Sequence, residues 1–280
     1  MNILIVKLSA IGDVIHTLPA LCALRSQYPE AHITWLIEEA AADLVLGHRA
    51  LDRVIVSRRK RWIKQLRGPG RRGAWSEIGV FWRDLRDTRY DMVIDFQSLL
   101  KSAVLVWLAR GRRKIGFGRG MQHQEHSYLF LNERVPPVDM EVHALTRGLM
   151  LIEAIGIKSE AVTYDLPASA EDRRRVDDLL AACGIDGRRP MVTINPVALW
   201  ETKLWLNDRF AVLADRLISE LAVDVVFTGG PADRSMIDDI RGQMHQPTGD
   251  LSGRTTLKML AALYQRASLL VTTDTGPMHL

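Results

Sequence analysis

Short apolar runs alternate with segments of helical spacing along the chain. In the first half the runs predict strands at residues 3–6, 33–37, 53–56, 92–96 and 114–117. Apolar residues three or four positions apart, such as Val14, Leu18 and Leu21, predict a helix after the first strand. Further helices are predicted at residues 75–89, 99–108 and 143–155. Since the strands are apolar throughout, they are expected to form a parallel sheet with helices on both faces.

The same alternation restarts after a proline-containing segment at residues 158–170, which is expected to link two domains. Strands are predicted at residues 191–194, 223–228 and 269–273, and helices at residues 171–183, 207–220, 233–244 and 255–266. The pattern predicts an α/β protein with two Rossmann-like domains facing a cleft, residues 1–160 and 161–280. Three strands are fewer than such a sheet usually contains, so the second domain is expected to be truncated at the C-terminus.

The composition is typical of a soluble globular protein, with 47% hydrophobic and 25% charged residues. No apolar run is long enough to predict a membrane-spanning helix, and residues 1–7 lack the pattern of a signal peptide. Cys22 and Cys183 lie far apart in sequence without a metal or redox spacing. These features together favour a cytoplasmic location.

The net charge of +4 is unevenly distributed. One stretch without any acidic residue contains eight basic residues, namely Arg58, Arg59, Lys60, Arg61, Lys64, Arg67, Arg71 and Arg72. Gly68-Pro69-Gly70 predicts that part of this stretch is a loop. The stretch is either a solvated surface segment or a binding site for a polyanion, such as a phosphorylated glycolipid, an anionic membrane face or nucleic acid.

Candidate binding residues follow the carboxyl end of the first predicted strand, where α/β sheets bind ligands. Gly12 and Asp13 are found there, with one glycine where a dinucleotide-binding motif needs three. Asp13 either caps the following helix or presents a carboxylate to a cleft. Pro19 predicts that this helix begins irregularly, which would leave Asp13 freer to face a cleft.

Three strand ends in the second half carry comparable candidates. Lys203 is either an ordinary surface lysine or a cation for a diphosphate. Asp233 follows a glycine pair and could cap a helix or bind a ribose hydroxyl. Residues 274–277, Asp-Thr-Gly-Pro, are typical of a strand followed by a helix whose N-terminus binds phosphate. The histidines show no metal-binding spacing, so no metal site is predicted.

Three motifs resemble glycosyltransferase family 9, the lipopolysaccharide heptosyltransferases. They are VKLSAIGDVIHTLPA at residues 6–20, DFQSLLKS at residues 95–102 and DTGPMH at residues 274–279. The resemblance extends over essentially the whole chain, and Glu38-Glu39 with residues 58–62 are most similar to the heptosyltransferase I members. It implies a GT-B fold, with the acceptor held mainly by the first domain and the nucleotide sugar by the second.

The resemblance also implies an inverting transfer of L-glycero-D-manno-heptose from ADP-heptose to the Kdo of Kdo-lipid A, in lipopolysaccharide inner-core biosynthesis, without a metal or cofactor. Asp13 matches the general base. The donor-binding residues expected from the motifs and from the strand ends are Lys203, Asp233, Asp274, Thr275, Gly276 and His279. Family members commonly carry Glu near the position of Asp233. The acceptor-binding residues are expected to be Gly12, Arg58, Arg59, Arg61, Gln97 and Lys101.

Two alternatives remain open at the level of sequence. The shared motifs mark the donor diphosphate better than the acceptor, so heptosyltransferase II or another family 9 transferase is possible. A non-catalytic basic binding module derived from a transferase is the alternative of another class. The presence of Asp13, Lys203 and Asp274 together, without a nucleic-acid motif, favours the enzyme. A monomer is expected, peripheral at the anionic cytoplasmic face of the inner membrane and not binding nucleic acid.

Overall fold

A computed structural model describes residues 1–122, 124–159 and 161–280 and divides the chain into two compact units. Unit 1 is Met1–Pro167 and unit 2 is Ala168–Leu280. The sequence placed the domain boundary between residues 160 and 161, which is seven residues before the boundary between the two units. Residue 160 itself lies outside the described residues. Both units contain parallel strands and helices, which confirms the predicted α/β class.

Unit 1 contains a six-stranded parallel sheet in the order β3-β2-β1-β4-β5-β6. The strands are β1 Asn2–Val6, β2 His32–Glu38, β3 Arg53–Ser57, β4 Tyr90–Asp95, β5 Gly111–Phe117 and β6 Glu133–Val135. The five predicted strands are confirmed with shifted ends. Strand β5 begins at Gly111, three residues earlier than predicted. The prediction missed its start because Arg112, Arg113 and Lys114 interrupt the apolar pattern. Strand β6 was missed because its three residues include only one apolar side chain.

The helices of unit 1 are α1 Ile11–Gln27, α2 Arg59–Leu66, α3 Arg71–Arg86, α4 Leu100–Leu108 and α5 Ala144–Glu153. The irregular start expected for α1 is wrong, since the helix continues from Ile11 through Pro19. Leu18 and Leu21 are fully buried, and this packing offsets the one hydrogen bond that Pro19 cannot donate. The predicted loop in the basic stretch is reduced to the short connection between α2 and α3.

Unit 2 contains a four-stranded parallel sheet in the order β10-β7-β8-β9. Its strands are β7 Met191–Asn195, β8 Asp224–Phe227, β9 Gly249–Asp250 and β10 Leu269–Thr272. Its helices are α6 Ala170–Ala182, α7 Asn207–Leu221, α8 Arg234–Gly242 and α9 Leu257–Arg266. The sequence predicted three strands here and missed β9, whose two residues, Gly249 and Asp250, carry no strand pattern. Within the described parts of both units, no helix has the length and apolar content that crossing a membrane requires.

Burial explains why the strands read as apolar throughout. Ile3, Leu4, Ile5 and Val6 of β1 are all fully buried, as expected for a central strand covered on both faces. Because neighbouring strands are parallel, their carboxyl ends lie at one edge of each sheet. In unit 1 this edge carries the buried polar residues Glu38, Ser57 and Asp95. Polar groups that the sequence places after strands are therefore gathered at that edge.

Candidate active site

Asp13 lies in the first turn of α1, next to the carboxyl end of β1, and a buried lysine contacts its carboxylate. The Nζ atom of Lys7 is 3.4 Å from Oδ2 of Asp13, and it donates a hydrogen bond of 3.2 Å to the backbone oxygen of Phe96. Burial lowers the pKa of the Lys7 ammonium, and the negative charge of Asp13 opposes this shift. The side chain of Asp13 remains 41% exposed, so one face of the carboxylate is open to a ligand.

The two interpretations of Asp13 that the sequence left open both apply. Its Oδ2 accepts a long hydrogen bond of 3.4 Å from the backbone N–H of Ala10, which is the capping arrangement. The same side chain also lines a cavity of about 190 Å³. The length and exposure of the capping bond leave the carboxylate available for a second partner. Gly12 is buried in the same helical turn.

The cavity beside Asp13 is lined by both apolar and polar groups. Its wall includes Lys7, Asp13, Thr17, Phe96, Gln97, Met121, Met140 and Arg147. These residues come from the end of β1, from α1, from the segment after β4 and from α5 or the segments before it. A volume of this size corresponds to about six water molecules. The cavity can therefore hold a small polar group, such as part of a sugar ring, against a carboxylate.

Asp95 and Gln97 fasten the segment after β4 to the segment after β1. The backbone N–H groups of Gln97 and Ser98 donate to Oδ1 of Asp95, at 3.0 and 3.2 Å, and the Ser102 hydroxyl donates to Oδ2 at 3.1 Å. Gln97 Oε1 in turn accepts from the backbone N–H groups of Leu8 and Ser9, both at 3.0 Å. Burial raises the pKa of Asp95 to about 6, and these three hydrogen bonds oppose the shift.

This arrangement restricts what Gln97 can offer to an acceptor. Its carbonyl oxygen accepts from the backbone before α1, so its Nε2 is the group left to donate to a ligand. Sequence reasoning identified the residue but not its contact with the segment that precedes Asp13. The DFQS pattern could have indicated the turn that Asp95 closes, because an aspartate at a strand end commonly accepts from the backbone of the following turn.

The predicted acceptor residues Arg59 and Lys101 share one buried carboxylate. Arg59 Nη2 lies 3.4 Å and Lys101 Nζ 3.7 Å from Oε1 of Glu38, whose side chain is 7% exposed. Lys101 Nζ also donates a 2.7 Å hydrogen bond to the hydroxyl of Ser9. Two cations thus meet one anion next to the segment that leads to Asp13.

Arg58 and Arg61 are also ion-paired. Arg58 Nε lies 2.9 Å and Arg61 Nη1 3.4 Å from Oε1 of Glu39, and Arg61 Nη2 lies 2.5 Å from Oε2 of Glu77. The basic stretch contains no acid in sequence, but the end of β2 and helix α3 supply these carboxylates in the fold. Sequence reasoning missed the pairing because the partners are distant in sequence. The side chains of Arg58, Arg59 and Arg61 are each 40–47% exposed.

In unit 2 the structure brings together two predicted donor residues from distant parts of the sequence. Lys203 Nζ forms an ion pair with Oδ2 of Asp274, and both side chains are well exposed. The hydrogen bond from Lys203 lowers the pKa of the Asp274 carboxyl. Thr275 follows directly, and Gly276–His279 form a single 3₁₀ turn where the sequence predicted the start of an α-helix.

Asp233 closes the glycine turn after β8. Its Oδ2 accepts a 2.7 Å hydrogen bond from the backbone N–H of Gly230. A Cβ at Gly229 would lie 2.8 Å from Cδ1 of Ile237 and 3.2 Å from Cβ of Asp233, so a side chain there would require these neighbours to shift. Asp233 therefore holds the turn in shape at the start of α8, and its ribose contact stays a prediction.

Buried polar residues that sequence reasoning did not single out hold the strand ends of unit 2. Tyr264 of α9 has its hydroxyl 3.3 Å from Asn195 Nδ2 and 3.4 Å from Thr228 Oγ1. The Thr273 hydroxyl donates to the backbone oxygen of Val197 at 2.5 Å. Polar residues that end otherwise apolar strands were the available signal. Among the described residues, no group of three or more His, Cys, Asp or Glu side chains could hold a metal ion.

Comparison with known proteins places this architecture in a family. The family model of glycosyltransferase family 9 (heptosyltransferase) matches residues 78–280. Lipopolysaccharide heptosyltransferase 1 of Pseudomonas aeruginosa is 31% identical, over 100% of this chain and 75% of that protein. Lipopolysaccharide core heptosyltransferase OpsX of Haemophilus influenzae is 25% identical, over the same shares of the two chains.

A solved structure agrees with these matches. E. coli heptosyltransferase WaaC with ADP-2-deoxy-2-fluoro heptose superimposes with a TM-score of 0.77 at 25% identity, covering 100% of this chain and 84% of that one. The likeness confirms the predicted GT-B fold class. The alternative of a non-catalytic binding module is set aside, because the family match covers most of the chain. The chain belongs to glycosyltransferase family 9 and is a glycosyltransferase of the lipopolysaccharide heptosyltransferase group.

Proposed function

We propose that this chain transfers L-glycero-D-manno-heptose from ADP-heptose to the Kdo of Kdo-lipid A, with inversion at the anomeric carbon. The observation that carries the proposal is the half-exposed carboxylate of Asp13, which lines a cavity and is contacted by the buried Lys7. The relative from Pseudomonas aeruginosa is named lipopolysaccharide heptosyltransferase 1, which supports the acceptor. The solved relative with an ADP-heptose analogue supports the donor.

In the proposed reaction an acceptor hydroxyl oxygen attacks the anomeric carbon of the heptose. The bond from that carbon to the diphosphate oxygen breaks, and its electron pair leaves with ADP. Asp13 accepts the proton of the attacking hydroxyl. Lys7 keeps the carboxylate turned toward the cavity, because its ammonium contacts the carboxylate and is fixed by the Phe96 carbonyl.

We assign the donor to unit 2. Lys203 supplies a point charge for the diphosphate, and the backbone N–H groups at Thr275 and Gly276 can donate to its oxygens. Asp274 holds the Lys203 ammonium in place and can accept from sugar hydroxyls. Asp233 is assigned to the ribose and His279 to the same donor region. These groups, rather than a metal, stabilise the charge on the departing ADP in this proposal.

We assign the acceptor to unit 1. Arg58, Arg59, Arg61 and Lys101 can bind the Kdo carboxylates and the lipid A phosphates, with bidentate contacts from the arginines. Gly12 allows a close approach to the backbone, and Gln97 offers its Nε2. A lipid-linked acceptor implies work at a membrane surface, so we place the enzyme at the cytoplasmic face of the inner membrane as a peripheral monomer that does not bind nucleic acid.

The test is a transfer assay with ADP-heptose and a set of acceptors, read by ADP release and by the mass of the product. The proposal predicts one added heptose on Kdo-lipid A and none on lipid A without Kdo. Transfer confined to an acceptor that already carries a heptose would assign the chain to the heptosyltransferase II step. Transfer of a different sugar from its own nucleotide would overturn the donor assignment.

A further inference from the structure

Unit 1 contains a second, apolar cavity of about 370 Å³ between helices α2, α3 and α4. Its apolar wall includes Ile63, Leu66, Ile78, Trp82, Val104 and Leu105. Ile63 and Val104 are 42% and 38% exposed, so the cavity is open to solvent. Trp62 and Phe81, with ring centroids 5.3 Å apart, connect this wall to the buried core. An open, largely apolar cavity is suited to an apolar ligand.

The polar part of the wall consists of Ser57, Arg59 and Lys101. The two cations share the buried carboxylate of Glu38, so this side of the cavity carries more positive than negative charge. Apolar surface next to a surplus of positive charge selects a ligand that has an apolar chain and an anionic group. An alkyl or acyl chain attached to a phosphate or carboxylate has this chemistry.

The same lysine connects the cavity with the candidate active site. Lys101 lines the apolar cavity and donates a hydrogen bond to the Ser9 hydroxyl, in the segment directly before α1 and Asp13. A molecule with its apolar chain between α2, α3 and α4 therefore has its anionic group close to the segment that presents the catalytic carboxylate.

We propose that this cavity binds part of an acyl chain of the lipid-linked acceptor, with an anionic group of the same lipid on Arg59 and Lys101. The identity of the lipid rests on the proposed function, whereas the chemistry of the cavity does not. A volume of 370 Å³ corresponds to about twelve water molecules, which is enough for part of one chain. The cavity thus distinguishes an acylated acceptor from the same sugar without its chains.

A direct test uses dodecyl phosphate with bromine atoms at the end of its chain, which quench tryptophan fluorescence at contact. Trp62 and Trp82 line the cavity and act as reporters. We expect saturable quenching of the full chain and at least tenfold weaker binding to Val104→Glu, whose charge enters the apolar wall. Inorganic phosphate should not quench, and each methylene removed from the probe should weaken binding by about fourfold or less.

The matched control is Val212→Glu, which places the same charge on an exposed valine of α7 in unit 2. It should bind the probe like the wild type. Ile63→Glu gives a second test on α2, so the result does not depend on the folding of one variant. Equal affinity of Val104→Glu, Ile63→Glu and the wild type would overturn the proposal.

A second arm separates the acceptor from bulk lipid and from the proposed function. KM is measured for an acylated acceptor and for its fully deacylated form, and we expect the acylated form to be favoured in the wild type and in Val212→Glu but not in Val104→Glu. Weaker binding of Val104→Glu to phospholipid vesicles without a change in this KM ratio would overturn the assignment to the acceptor. Probe binding without any heptose transfer would instead refute the proposed function and leave the acyl site standing.

Discussion

The ammonium of Lys7 lies 3.4 Å from the carboxylate of Asp13, and Lys7 is buried whereas Asp13 is partly open. A buried cation cannot move far, so it fixes the orientation of the exposed group that it contacts. Lys7 lies within the motif at residues 6–20 but was not among the predicted site residues, because a lysine at the end of an apolar strand does not by itself indicate a contact with Asp13.

Lys7→Met should therefore lower kcat by about tenfold to a hundredfold and leave the Kd of ADP-heptose unchanged. Lys114→Met is the control, since Lys114 is also partly buried but lies on β5 and donates to the Trp107 carbonyl. A wild-type kcat for Lys7→Met would show that the contact between Lys7 and Asp13 does not assist the reaction.

Glu39→Gln should strengthen the binding of an anionic acceptor. Glu39 pairs with Arg58 and Arg61, and its neutralisation frees the Arg58 guanidinium and leaves Arg61 paired only with Glu77. We expect KM for Kdo-lipid A to fall by about twofold to tenfold at low salt, and the difference to shrink as the ionic strength rises. Glu30→Gln, a change at the amino end of β2 rather than its carboxyl end, should have no such effect. A higher KM for Glu39→Gln would show that the ion pairs orient the arginines productively.

Lys203→Ala should raise the Kd of ADP-heptose by about tenfold or more, because it removes the point charge assigned to the diphosphate. KM for the acceptor should stay the same. The melting temperature should change little, since the ion pair with Asp274 is exposed to solvent. Calorimetric titration with ADP-heptose measures the effect, and Lys258→Ala on α9 is the matched control in the same unit. Equal affinities of Lys203→Ala and the wild type would remove Lys203 from the donor site.

Asp95→Asn should change how stability depends on pH. Burial raises the pKa of Asp95 to about 6, so the folded protein binds more protons than the unfolded chain between pH 3.8 and about 6. The free energy of unfolding of the wild type should therefore fall, relative to Asp95→Asn, by about 3 kcal/mol as the pH rises through this window. Denaturant titrations at pH 4, 5, 6 and 7 measure the difference.

The control for this experiment is Asp91→Asn, which changes an exposed aspartate on the same strand. If the free energies of unfolding of the wild type and Asp95→Asn differed by the same amount at every pH, the assignment of a raised pKa to the buried Asp95 would be wrong.

The sequence predicted most strands and helices because burial on both faces leaves uninterrupted apolar runs. The prediction failed where a strand lacks such an apolar run. Three consecutive cations conceal the beginning of β5, and β9 is only two residues long. The start of α1 was misjudged because the cost of a proline inside a helix was weighed without the packing of Leu18 and Leu21 that offsets it.

The candidate site was predictable where it depends on strand ends, since Asp13, Asp95 and Asp274 each follow or end a parallel strand. Contacts between distant segments were not predictable from residue types. The pairing of Arg58 with Glu39 and the hydrogen bonds from the Leu8 and Ser9 backbone to Gln97 depend on sheet order and register. Such contacts decide which side chains are engaged within the protein and which remain available to a ligand.

The most direct test of the central claim is the turnover of Asp13→Asn with ADP-heptose and Kdo-lipid A, measured together with its Kd for ADP-heptose. An amide cannot accept the proton of the attacking hydroxyl, so kcat should fall by about a hundredfold to ten-thousandfold while the donor still binds normally. The Asp91→Asn control should retain wild-type turnover. A wild-type kcat for Asp13→Asn would contradict the assignment of Asp13 as the base.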